Sequence, residues 1–136
     1  MDRLSELITG WIKKGNNDLK SAKTILKYSP ELTDSICFHS QQAAEKYLKV
    51  LLILTGEEEI KTHDLVYLCK IINNKFVVPK EYFEICSVLT QYAVTVRYPM
   101  VIEEPTQKDA RLSITYANKV IRWVKKEITD FKKTLF

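Results

Sequence analysis

The stretch from Ser35 to Gly56, SICFHSQQAAEKYLKVLLILTG, constrains the fold more than any other part of this chain. At about 100° per residue, Ile36, Cys37, Ser40, Ala44, Tyr47, Leu48, Leu51, Leu52 and Leu54 fall on one broad face, the apolar stripe of a core helix. Its length corresponds to roughly six turns. Asp34 or Ser35 can cap the first turn by accepting from backbone N–H groups, and Gly56 can adopt the left-handed conformation that closes the last one. The opposite face gathers Phe38, His39, Gln42, Lys46, Lys49 and Ile53, with Glu45 at its edge. Polar and ionisable groups thus share one line, which a solvated face would also produce. Phe38 and Ile53 argue instead for contact with another helix or chain, because both are large and apolar.

Other segments repeat the helical spacing. Leu4, Ile8, Trp11, Ile12, Leu19, Ala22, Ile25 and Leu26 predict a first helix from Asp2 to about Lys27. Gly10, Gly15 and Asn16 weaken its middle, which leaves room for a kink or a break near Gly15 unless close helix packing requires a small residue there. Lys13, Lys20 and Lys27 recur every seven residues with Lys23 nearby, which fits either a solvated basic face or a phosphate-facing stripe. Thr62 is placed to cap a third helix, with His63 and Asp64 in its first turn and Leu65, Leu68, Cys69 and Ile72 on its buried side. Pro79 suits the first position of a fourth helix, whose apolar set is Tyr82 or Phe83, Cys86, Leu89 and Ala93. Pro99 and Pro105 then interrupt any helix. Thr106 and Asp109 resemble a capping box, after which Ala110, Ile114, Ala117, Ile121 and Val124, with Val120 at the edge, mark a fifth helix.

With 136 residues, three glycines, four prolines and little alternation, the chain reads as one all-α domain spanning 1–136, an up-and-down bundle of four to five helices. A net charge of +4 permits attraction to phosphate without demanding it. Cys37, Cys69 and Cys86 have no CxxC spacing and read as reduced, buried thiols. No glycine-rich phosphate loop and no metal-ligand spacing is present, so no cofactor and no metal is expected. The N-terminus lacks an apolar signal region and the longest aliphatic run is Val50 to Leu54, which disfavours export and membrane spanning and points to a reducing cytoplasm.

The runs FHSQQAAEKYLKVLLILTG, THDLVYLCK and YAVTVRYP, preceded by WIKKGNNDLKSAKTIL, resemble in content and order the HEPN domain family, named for higher eukaryote and prokaryote nucleotide binding. The resemblance covers nearly the whole chain. It implies a helical bundle that commonly forms homodimers, binds nucleotides or cleaves RNA, and is often paired with an MNT-type nucleotidyltransferase as toxin and antitoxin. Active members carry Arg-x(4–6)-His, and the matching arginine is Arg97. Ile102, Glu103 and Glu104 occupy the places for the histidine, and no histidine follows His63.

An arginine holds phosphate but does not move protons near neutral pH, so the resemblance implies binding without the usual cleavage. The favoured expectation is a homodimeric, non-catalytic module. Arg97, His39, Gln42 and Lys46 form its groove for an anionic ligand or partner, and Phe38 and Ile53 its dimer interface. The alternative is a metal-independent ribonuclease toxin using Arg97 with a non-standard base, either Glu103 or Glu104 with a raised pKa or His39 across a dimer.

Overall fold

Helical spacing in the sequence is realised as α1 (Arg3–Tyr28), α2 (Thr33–Leu54), α3 (Leu65–Ile72), α4 (Lys80–Thr90) and α5 (Gln107–Thr134). The computed structural model describes residues 2–57, 60–93 and 104–134, and these form an all-α up-and-down bundle. Helix α2 is its centre. Of its 22 residues, 14 are buried, too many for a helix covered on one side only. It packs most extensively against α1 and α5, while α3 and α4 close the remaining side.

The first helix begins where Asp2 accepts a hydrogen bond from the Ser5 backbone N–H at 2.7 Å. It then runs without a break through both glycines. A Cβ on Gly15 would lie 2.8 Å from the Tyr47 ring, so this glycine serves the close approach of α1 and α2 rather than a kink. Tyr47 is held from moving aside because its hydroxyl donates to Asn16 Oδ1 at 2.5 Å.

Neither Asp34 nor Ser35 caps α2. The helix starts earlier, at Thr33, with Leu32 in the cap position and no side-chain cap, and Asp34 lies in the first turn where a carboxylate suits the helix dipole. Gly56, at φ +92°, closes the other end as expected, and Lys75 Nζ donates to the Leu54 carbonyl at 2.9 Å. Asp64, not Thr62, caps α3, accepting from the backbone N–H groups of Val66 and Tyr67. Thr62 acts one step earlier, its hydroxyl accepting from the Asp64 N–H at 3.1 Å. Pro79 stands in the cap position of α4.

Ahead of α5 the reciprocal box forms in full. Thr106 N–H donates to Asp109 Oδ2 at 2.9 Å and Asp109 N–H to Thr106 Oγ1 at 3.0 Å. The three cysteines are buried and no disulfide joins them. Cys69 and Cys86 bring their sulfurs to 3.6 Å across α3 and α4, and that hydrogen bond, with burial, pushes the Cys86 thiol far above its ordinary pKa. Among the described residues no helix is long and apolar enough to cross a membrane.

Candidate functional site

The polar line of α2 faces protein. Asp18 of α1 meets it, accepting the Nδ1–H of His39 at Oδ1, 2.8 Å away, and pairing through Oδ2 with Lys46 Nζ. His39 and Lys46 are seven residues apart on α2, two turns, so one carboxylate reaches both. Burial alone would raise the Asp18 pKa, but the hydrogen bonds and charges of His39 and Lys46 outweigh it and hold the carboxyl below its ordinary value.

A group depressed in this way stabilises the fold above the ordinary carboxylate range, near pH 4, and its contribution is lost as pH falls through the folded-state value. Asp18→Asn is therefore expected to cost about 2 kcal/mol at neutral pH. The gap from wild type should narrow steadily in denaturant titrations taken from about pH 6 to about pH 3. A gap that stays constant over that range would remove the ionised Asp18 from the stabilisation.

Next to Lys46 on α2, Glu45 builds a second cluster around a carboxylate 2% exposed. Its Oε1 accepts from Gln41 Nε2 at 3.3 Å and from His63 Nδ1 at 2.8 Å, and its Oε2 pairs with Lys49 Nζ at 3.1 Å. Gln41 also donates to the His63 carbonyl at 3.2 Å, and Gln42 donates to Gln41 Oε1 at 2.7 Å. Lys49 lies over the Trp11 ring, 5.2 Å from its centre. The buried charge is thus paired and hydrogen-bonded on both oxygens, the condition for carrying one in a core.

These contacts redistribute the residues expected at a single groove. His39 and Lys46 do come together, through Asp18. Gln42 belongs to the Glu45 cluster instead, because its amide turns to Gln41. Phe38 is half-buried, its ring edge-on to His39 with centres 5.4 Å apart. Ile53 is 6% exposed and packs inside the chain, which corrects its placement on an outward face: a central helix has neighbours on that side too. Glu104 is exposed ahead of α5, whereas Arg97 and Glu103 lie outside the described residues.

Sequence reasoning did not single out Asp18 or the tie between Glu45 and His63. Asp18 had a signal, as the only acidic residue between Glu6 and Glu31 in a lysine-rich helix.

His39 also borders a surface depression of about 410 Å³, with Asn17, Lys20, Ser21, Thr24 and Ile25. A neighbouring depression of about 500 Å³ shares Lys20 and Thr24 and adds Lys23, Lys27 and Tyr28. With Nδ1 donating to Asp18, the remaining ring nitrogen, Nε2, is the one left for a ligand. Chemically this is an oriented imidazole beside lysines. It can bind an anion, and it has the carboxylate support that an acid or base uses. Among the described residues, no group of three His, Cys, Asp or Glu side chains is arranged to hold a metal ion.

A helical bundle with a polar seam between its first two helices defines the class. The HEPN domain model matches residues 8–128, and the chain belongs to the HEPN domain family. It is similar to the archaeal HEPN homologue ST0689, at 30% identity and a TM-score of 0.69, over 94% of this chain and 99% of that one. TT1696 from Thermus thermophilus is similar at 25% identity and a TM-score of 0.76, over 93% of this chain and 98% of that one. An HEPN domain protein of Thermotoga maritima, tm0613, shares the fold at 21% identity and a TM-score of 0.71, over 88% and 98% of the two chains. No curated protein matches.

Proposed function

We propose that this chain is a homodimeric HEPN module that works without catalysis. It binds the phosphate of a nucleotide or an RNA, pairs with an MNT-type nucleotidyltransferase, or does both, in a toxin–antitoxin-like system. The observation that carries the reading is His39, tied to Asp18 through Nδ1 and bordering a depression that Lys20 also lines. An imidazole and an ammonium at one depression suit a phosphate, and Arg97 adds a bidentate donor if the ligand reaches it. The carboxylates of Glu103 and Glu104 stand where active relatives carry a histidine and, when ionised, repel phosphate.

Titrating nucleotides and short single-stranded RNA against wild type and Arg97→Ala tests the ligand. Affinity is expected to fall about tenfold in the variant and to weaken with salt. Equal affinity in the two proteins would take Arg97 out of the site.

One observation favours a second reading. His39 and Asp18 have the imidazole–carboxylate arrangement that orients a catalytic base, so a metal-independent ribonuclease would draw on them together with Arg97. Incubation with structured and single-stranded RNA in chelator is expected to leave the RNA intact. Cleavage that survives chelation and disappears in both Arg97→Ala and His39→Ala would replace the non-catalytic reading with this one.

A further inference from the structure

The two glycines of α1 sit in opposite surroundings. At Gly15 an added Cβ would strike the Tyr47 ring, and the chain's own packing accounts for the residue. At Gly10 an added Cβ would meet nothing within 4 Å. Glycine is the least favourable residue in a helix interior apart from proline, so the isolated chain gives no structural reason for it there. Close approach by something outside the chain gives one.

The surface around Gly10 has the shape and charge for that approach. It opens on a depression of about 440 Å³ lined by Arg3, Glu6, Leu7, Gly10, Trp11 and Lys14, and Leu4 nearby is 45% exposed. Trp11 forms a firm wall, since Lys49 lies over its ring and is itself paired with buried Glu45. Arg3, Leu7, Gly10 and Lys14 follow intervals of four, three and four, the spacing of a seam between paired helices. Glu6 and Lys14 are exposed, opposite in charge, and each four residues from Gly10.

That symmetry selects the occupant. A two-fold axis through Gly10 that sets two α1 helices antiparallel brings Glu6 of each copy opposite Lys14 of the other, whereas a parallel pairing sets like charges together. We infer that a second copy of this chain docks here, α1 against α1 and antiparallel, with Gly10 at the crossing. The inference rests on the homodimeric reading and names the face that reading uses.

Sedimentation of the full chain from about 1 to about 100 µM tests it. Gly10→Leu should fold normally, because the position is open, and weaken association at least about tenfold by filling the crossing. Glu6→Lys and Lys14→Glu should each weaken association about tenfold, and the two combined should restore it, since the reciprocal pairs are then re-formed with signs exchanged. A wild-type dimer indifferent to these changes, or broken by Phe38→Asp alone, would overturn this face and leave the homodimeric reading standing. A wild-type monomer throughout the range, including one that associates only with a nucleotidyltransferase, would overturn both.

Discussion

Glu45→Ala is expected to lower the unfolding free energy by about 3 kcal/mol, as for other buried ion pairs broken on one side. The substitution removes the acceptor shared by Gln41, His63 and Lys49 in one step. Gln41, wholly buried, keeps only its bond to the His63 carbonyl and its bond from Gln42, and the Lys49 ammonium, on a side chain 13% exposed, loses its counter-ion. Urea unfolding at neutral pH reads the change. Glu45→Gln serves as the comparison, because it retains a carbonyl acceptor and loses only the charge, and it should fall between wild type and alanine. If alanine were as stable as wild type, the pairing around Glu45 would do no more than offset the desolvation of its charges.

Gly15→Leu is expected to cost about 3 kcal/mol, near the upper end for overpacking a tight contact. Its first carbon already falls 2.8 Å from a ring that is fully buried and anchored to Asn16. The sharper comparison is between alanines. Gly15→Ala gains about 1 kcal/mol in helix propensity and loses more to the Tyr47 clash, while Gly10→Ala gains the same propensity in open space. The same substitution, five residues apart in one helix, should therefore shift the thermal midpoint down at Gly15 and, in the monomer, up at Gly10. Shifts of the same sign would show that α1 slides away from Tyr47 without cost.

The parts of this fold that were legible in the sequence are those fixed by local spacing. Leu65, Leu68, Cys69 and Ile72 of α3 are all buried, and so are Ala110, Ile114, Ala117, Ile121 and Val124 of α5. The box at Thr106 was legible for the same reason, since both partners lie within one turn. Ile53 was misplaced because a helical wheel gives the direction of a side chain and not the number of neighbours around the helix. Only the assembled bundle shows that α2 is enclosed on several sides.

Contacts between helices were less legible still. Asp18 reaches His39 across 21 positions and Lys46 across 28, distances set by how α1 and α2 align rather than by any local pattern. Sequence reading found His39 and Lys46 as a pair on one face and missed the carboxylate that joins them. The link from Glu45 to His63, 18 positions apart, was hidden in the same way, although His63 was already noted at the start of a helix.

The reciprocal bonds between Thr106 and Asp109 give α5 a starting point of its own. They fix the start of α5 between two residues three apart in the chain. The register in which Ala110, Ile114 and Ala117 enter the core is thereby set in the helix's own first turn.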